Sequence, residues 1–544
     1  MVFLMLPAVV QAQFTFTTNN GAITITGYTG SGAINIPNTI LVNGIAIPVT
    51  SIGNSAFSGT YTGHTLTSVT IPNSVISIGY EAFADCYYLT NVTFGTNVTS
   101  IGDSAFISDA ITMIAIPDSV TNIGTGAFLQ SQLTNCVIGN GVTAIGEEAF
   151  MDCYSLDGIT MGTNVASIGA WAFGYDPLTG VTLPSTLASI GLSAFLGCNL
   201  TNVTIPQNVT NIGVSAFICS SLAAITVDTN NLAFSSLGGV LFDKSQSTLI
   251  QFPKGKYGSY SIPNSVTNFG MAFYTCQGLT TVTIPASVTS IGDWAFGYCS
   301  GLKTLTIPAS INSIGVSAFY SCTSLASLII PDTVISIGTN SFYSCSSLTN
   351  VIIGNGVTNI GSTLFSSCSS LVKIVIGNSV TSIGVAAFSS CSKLINVTLP
   401  NGISNINNSA FSNCTNLLGV YFNGNAPSFG SLVFASDTKL IAYYLPGTTG
   451  WSNSFAYVPT RLWNPQTQTT DGSFGVQNNQ FGFNITGSSN LVIVVEACTN
   501  FASPVWLPVS TNTLNTFIGT NGTSYFSDSK WTNYFSRFYR LRSP

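Results

Sequence analysis

Apolar and polar positions recur along most of this chain with a period of 22 or 23 residues. One unit reads Ile284-Pro285-Ala286-Ser287-Val288-Thr289-Ser290-Ile291-Gly292-Asp293-Trp294-Ala295-Phe296-Gly297-Tyr298-Cys299-Ser300-Gly301-Leu302-Lys303-Thr304-Leu305-Thr306, and the next opens at Ile307-Pro308. Its phenylalanine recurs as Phe57, Phe83, Phe106, Phe128, Phe150, Phe173, Phe195 and Phe217, then as Phe273, Phe296, Phe319, Phe342, Phe365, Phe388 and Phe411. Between Leu279 and Ile284 the spacing predicts a short strand with Leu279, Val282 and Ile284 inward and Thr281 and Thr283 on the other face. Pro285 has no N–H for a ladder and ends that strand. Gly292 is expected to supply backbone freedom at a corner. Ala295-Phe296 is expected to put one small and one large side chain into the core of every turn, as a stacked phenylalanine spine. A single unit cannot bury its own apolar face, so stability must come from neighbours stacked about 4.8 Å apart.

A period of this length with a Leu-x-x-Val-x-Ile strand is the mark of a leucine-rich repeat, in which each turn adds one strand to a long parallel sheet. The pattern Ile-Pro-x-Ser-Val-x-x-Ile-Gly-x-x-Ala-Phe-x-x-Cys-x-x-Leu resembles the BspA-like class of these repeats over residues 45–425. That resemblance implies a bacterial surface or secreted protein. The expected fold is a β-rich solenoid: a leucine-rich repeat array of about fifteen turns with a parallel sheet on one face, followed by a small C-terminal β-sandwich-like domain.

The departures from the period divide the chain further. Residues 1–12 are apolar and end in Val10-Gln11-Ala12, which reads as a secretion signal, although a positive leading segment is missing. Residues 13–44 form an expected N-terminal hairpin cap, with strands flanking Asn19-Asn20-Gly21. Extra sequence near 228–260, including Leu237-Gly238-Gly239-Val240, reads as a hairpin insertion. Residues 426–465 are expected to be a C-terminal cap and linker, and 466–544 the β-rich domain.

Composition narrows the function. Hydrophobic residues make up 45% of the 544 and charged ones only 6%, against roughly 25% in an average domain. Ser, Thr, Asn and Gly must therefore keep the surface wet. Net charge is -6, with 12 Lys plus Arg and no basic cluster, which argues against a nucleic-acid partner. No apolar run approaches the roughly 20 residues that span a bilayer.

The 13 cysteines raise the question of disulfides. Cys276, Cys299, Cys322, Cys345, Cys368, Cys391 and Cys414 each follow a spine phenylalanine by three, and Cys86, Cys153 and Cys198 share that place. Equivalent positions one strand apart hold Cβ atoms about 4.8 Å apart, outside the usual range of about 3.5 to 4.5 Å for a disulfide, so buried free thiols are expected. No Cys-x-x-Cys pair exists and His64 is the only histidine, which argues against zinc. The same scarcity leaves little from which to assemble an acid-base pair or a nucleophile. Catalytic residues, metal ligands and cofactors are accordingly not assigned, and the chain is not expected to be an enzyme.

Recognition has more support. Each strand offers two outward positions, mostly hydroxyl or amide, as in Asn91/Thr93, Asn202/Thr204, Thr281/Thr283, Thr304/Thr306 and Asn396/Thr398. In three successive turns the second position becomes Ile329, Ile352 and Val375, and Tyr421 takes it two turns later. An exposed apolar strip of this kind marks a contact site, while β-branched residues also simply favour strands. The expected function is binding or adhesion, non-catalytic and extracellular or at the cell surface, with a protein or glycan on another cell or matrix as partner. A structural surface spacer anchored by the C-terminal domain is the alternative, and a carbohydrate-active accessory enzyme a third.

Overall fold

The structure, a computed structural model, describes residues 13–59, 65–488, 492–502, 504–516 and 521–542. The segment read as a secretion signal and His64 lie outside the described residues. Two compact units divide the chain, Met1–Tyr257 and Gly258–Pro544. The β-rich solenoid with its repeat sheet is present in both, and the small β domain closes the second.

In the first unit most turns feed a parallel ladder through the Val-x-Ile segment or its equivalent, although the turn at Val181-Thr182-Leu183 forms no strand. Met113–Ile116, Asn135–Ile138 and Gly158–Thr160 pair in register, so that Ile114, Cys136 and Ile159 lie opposite one another. A second ladder, which the sequence pattern did not announce, uses only two residues per turn. Ser77–Ile78, Ser100–Ile101, Asn122–Ile123, Ala144–Ile145, Ser167–Ile168, Ser189–Ile190 and Asn211–Ile212 join the first strands in one sheet of 11. Most turns therefore anchor to their neighbours along two lines.

Between the two ladders runs the phenylalanine spine. Phe57 to Phe217 stack with ring centroids 4.8 to 5.5 Å apart and planes within 13° of parallel. All are fully buried, each contributing about 1.5–3 kcal/mol by leaving water. The corner glycine has a different role from the one expected. Gly292 does not adopt a left-handed backbone, and a Cβ there would meet nothing closer than 3.5 Å, whereas at most other members of the column the missing side chain allows a close approach. A Cβ on Gly146 would lie 2.5 Å from the carbonyl carbon of Gly124 in the preceding turn. The left-handed residues instead sit beside the spine, as at Glu81 (φ 52°) and Asp85 (φ 59°) in the first unit and Trp294 (φ 56°) and Tyr298 (φ 59°) in the second. Such conformations are costly for residues with a Cβ and persist because the packed turns on either side fix them.

Phe14–Asn19 pairs antiparallel with Ala22–Tyr28 through Asn20 and Gly21, both left-handed, and Asn43-Gly44 makes a second hairpin of Thr39–Val42 with Ile45–Ile52. The insertion is a three-stranded antiparallel meander, Phe234–Leu237, Val240–Asp243 and Leu249–Gln251, turning first at Gly238-Gly239.

In the second unit the ladder starts at Gly258–Ser261 and Leu279–Thr283. Its spine runs from Phe273 to Phe411 and on to Phe434, with centroids 4.9 to 5.7 Å apart. The strands Asn396–Leu399, Gly419–Phe422, Ile441–Tyr444 and Val458–Leu462 carry the sheet to its end. Beyond them, Gln480–Ser488 pairs antiparallel with Asn521–Asp528, while Val492–Cys498 lies between Leu507–Thr513 and Phe538–Arg542. These two small sheets share a core of Phe483, Ile485, Ile493, Val495, Leu514 and Phe526.

Candidate functional site: the outward face of the second unit and its cleft

Strand pairing aligns the outward side chains of successive turns into columns. Ile329 lies opposite Ile352, and Ile352 opposite Val375. They are 62%, 43% and 44% exposed, whereas their inward neighbours Leu328, Val351 and Ile374 are buried. Alternation along each strand thus puts three apolar side chains side by side in water. In the preceding turns of this unit the outward positions carry hydroxyls, and Thr281 and Thr304 bond across the turns at 3.0 Å; in the first unit Thr204 and Thr226 do so at 2.9 Å, while Met113 and Val137 are apolar and exposed there.

In the last turns the column continues through Thr398, Tyr421, Tyr443 and Arg461. Tyr421 corrects the expectation that grouped it with the exposed strip. It points outward as its register requires, but is only 3% exposed. Its ring stacks on Tyr443 at 4.8 Å and 11°, and both belong to the core of the C-terminal domain. That domain already covers this end of the sheet, so Tyr421 is not open to a partner. Burial raises the pKa of both hydroxyls, at Tyr443 against an opposing effect of Arg461.

Where the domain overhangs the sheet it leaves a cleft of about 900 Å³. Its floor is the sheet, with Lys373, Val375, Asn396, Thr398, Tyr421 and Tyr443; its opposite wall is the domain, with Trp463, Glu496, Thr511, Arg540 and Arg542. The exposed strip runs into this cleft at Val375. Glu496 is nearly buried and takes two guanidinium groups, Arg540 at 2.8 Å and Arg542 at 2.5 Å. Burial pushes its carboxyl up, but the hydrogen bonds from Arg542 and Arg540 and their charge outweigh this and hold it below the ordinary range. Both arginines remain partly exposed, and Arg540 also lies 4.5 Å over the Trp506 ring. Lys373 stands exposed on the floor.

The sequence pattern found the strip and missed the cleft. Alternation in Arg540-Leu541-Arg542 is a signal that both arginines share a face. Nothing local ties that face to Lys373, because the domain folds back over strands far earlier in the chain. A charge imbalance was also legible: the first cation is Lys244, whereas 12 of the 18 acidic residues precede it.

The repeated cysteines form no site of this kind. All 13 are free and buried, and most of those in the ladder donate their thiol to the carbonyl of the preceding turn's phenylalanine, as Cys299 to Phe273 at 2.9 Å and Cys345 to Phe319 at 3.3 Å. Burial pushes the Cys345 thiol up to about 12. Among the described residues no group of three or more His, Cys, Asp or Glu side chains could hold a metal, and no helix is long and apolar enough to cross a membrane.

A family model described as a BspA type leucine rich repeat region matches residues 37–157, 143–260, 252–334 and 312–441. Among solved structures the chain is similar to a leucine rich cell surface protein from Faecalibacterium prausnitzii A2-165, with 29% identity, 76% of this chain and 94% of that one covered, and a TM-score of 0.44. A leucine-rich repeat protein from Bacteroides ovatus is 25% identical, covering 83% of this chain and 98% of that one at a TM-score of 0.42. The pneumococcal vaccine antigen PcpA is 21% identical, covering 80% and 92% at 0.44. No curated protein matches the chain.

Proposed function

Because the chain belongs to the BspA-type leucine-rich repeat family, we propose that it is a non-catalytic recognition protein, exported to the cell surface or beyond, that binds a protein or glycan of another cell or matrix through the outward face of its repeats. Export is supported by the apolar segment ending in Val10-Gln11-Ala12. A non-catalytic role is supported by the scarcity of acid-base groups, which is one histidine and 18 carboxylates in 544 residues. No cofactor is implied.

The observation that carries the reading is the strip of Ile329, Ile352 and Val375, three exposed apolar side chains in register where the preceding turns of this unit carry hydroxyls at Thr281, Thr283, Thr304 and Thr306. Strand preference accounts for β-branched residues at any one place, but three together leave an apolar surface that water solvates poorly and a partner would cover. The test is capture from host-matrix proteins, neighbouring-cell extracts and a glycan panel, with the full chain beside an Ile329→Asp, Ile352→Asp variant. Capture by the parent and its loss in a variant that still unfolds cooperatively supports recognition by this face. Capture that survives the substitutions removes the strip from the reading, and no capture from any source moves it to a structural spacer held by the C-terminal domain.

A further inference from the structure

We propose that a row of aromatic side chains beside the phenylalanine spine of the second unit is a docking platform for an uncharged polysaccharide, an inference that rests on the recognition reading and adds a second surface to the Ile329 strip. The rings of Tyr274, Trp294, Tyr298, Tyr320 and Tyr343 come from four successive turns and touch one another, with centroids 4.9 to 6.1 Å apart. Turns stacked about 4.8 Å apart spread them over about 15 Å. Tyr298 is exposed and the other four are half-buried. The fold does not require these rings. Phe365 and Phe388 are fully buried with Ser366 and Ser389 in the place of Tyr320 and Tyr343. Trp294 and Tyr298 moreover occupy left-handed positions, costly for bulky side chains, that the next two turns fill with Ser317, Ser321, Asn340 and Ser344. Gly297 leaves room for the pair, since a Cβ there would lie 2.8 Å from the Trp294 indole. The first unit repeats the pair as Trp171 and Tyr175 at 6.1 Å, but Met151 and Leu196 stand where the second unit has Tyr274 and Tyr320, so no row forms.

The surface selects its ligand by chemistry. Charge is scarce: the charged residues between Met271 and Cys345 are Asp293, Lys303 and Asp332, so an ionic ligand finds no concentrated counter-charge. The hydroxyls of the four tyrosines make no hydrogen bond among the described residues. They leave four groups that both donate and accept, matched to the hydroxyls of sugar rings whose C–H groups pack on aromatic carbon. A peptide fits less well for two reasons. The backbone beneath the rings is spent, with the N–H groups of Trp294, Phe296 and Tyr298 donated to the carbonyls of Val316, Ala318 and Tyr320 in the next turn, so there is no strand edge to extend. A proline-rich helix docks in grooves lined by aromatic side chains, and rings already in contact leave no groove between them.

The experiment is affinity electrophoresis of the full chain through gels containing hydroxyethyl cellulose, laminarin, galactomannan or dextran, beside gels containing polygalacturonate or poly-proline. The expected result is retardation by at least one of the neutral polysaccharides, insensitive to salt. Tyr320→Ala, in the middle of the row, should weaken it by about tenfold or more. Tyr298→Phe, which keeps the ring and removes one hydroxyl, should weaken it by about two- to tenfold, and it carries the test if Tyr320→Ala does not unfold cooperatively. Trp171→Ala, in the isolated pair of the first unit, should bind at the parent level. Retardation by none of the neutral polymers, preference for polygalacturonate or poly-proline, unchanged binding in the second-unit variants, or loss of binding in Trp171→Ala would each overturn the assignment. Ile329→Asp separates the two readings: it should abolish partner capture by the strip and leave polysaccharide binding at the parent level, and a loss there would give the sugar to the strip and overturn the platform.

Discussion

The thiol of Cys322 donates a hydrogen bond to the backbone carbonyl of Phe296, one turn earlier, at 3.1 Å. The bond repeats up the second unit, from Cys368 to Phe342 and from Cys391 to Phe365, and in the first unit Ser131 takes the same part toward Phe106 at 2.9 Å. The cysteine is thus a donor as well as a small apolar filler, and the carbonyl it serves is sealed inside the turn. Cys322→Ala should cost about 1–2 kcal/mol, from a small cavity and the loss of one of the two hydrogen bonds that carbonyl accepts, the other coming from the Cys299 N–H at 3.1 Å. Cys322→Ser should cost less, since the hydroxyl still donates. Urea unfolding midpoints of the two variants check the order. Burial also holds the thiol pKa well up, so iodoacetamide should label these cysteines only after unfolding.

Three turns place aspartate where most others have cysteine: Asp109, Asp176 and Asp437 each follow the spine residue by three. Asp176 accepts from the backbone N–H of Cys153 at 2.9 Å, and its other oxygen is buried without a hydrogen-bond partner. Burial, opposed by that bond and aided by the charge of Asp152, pushes its pKa up to about 9. The folded state therefore keeps a proton that the unfolded chain releases near pH 4. Its contribution is fully present below the unfolded pKa and is lost as pH rises toward 9, because only the unfolded state gains by ionising. Asp176→Asn should remove this slope, making the variant more stable relative to the parent by about 2–3 kcal/mol on going from pH 5 to pH 7. Thermal unfolding followed at both values measures it, and an unchanged difference would show that Asp176 ionises in the folded chain.

How much of this was legible follows from the length of each signal. The phenylalanine spine and the alternation around Val282 repeat often enough to be read directly, and the register that sets Ile329 beside Ile352 and Val375 follows from the same repeat. The ladder of Ser77–Ile78 and its equivalents did not show, because two residues are too few to display a period of two. Gly292 was read as freedom at a corner, and the close approach seen at Gly146 was not read at all, because a sequence does not display the neighbouring backbone. Tyr421 was placed correctly on the outward side and wrongly in the open, since alternation gives the direction of a side chain and not what folds over it. The placing of Lys373 on the floor and Arg540 on the wall of one cleft is tertiary for the same reason.

The corner glycines allow a direct comparison. Gly146→Ala would set a methyl 2.5 Å from the carbonyl group of Gly124, and the obstacle is backbone held by ladders on both sides. The turns must separate, at a cost of about 1–3 kcal/mol. Gly180→Ala, where a Cβ meets nothing within 4 Å, should change stability by less than about 0.5 kcal/mol. Equal unfolding midpoints for the two variants would refute close approach as the reason for the glycine column.

Tyr421 holds the C-terminal domain to the repeat sheet. Its ring is buried between the face it belongs to, where it stacks on Tyr443, and the domain core of Phe483, Ile493 and Val495. Removing the ring takes away apolar surface on both sides and leaves a gap that neither packed layer can close, so Tyr421→Ala should cost about 3–5 kcal/mol at that junction. The loss should be local, because the spine from Phe273 to Phe434 and both ladders of the repeats do not depend on it. Hydrogen exchange should therefore accelerate across Val492–Cys498 and Phe538–Arg542 while Asn350–Ile353 stays protected. Faster exchange throughout the unit would mean that the domain also stabilises the repeats, and unchanged exchange in the domain would mean that Tyr421 merely fills space beneath it.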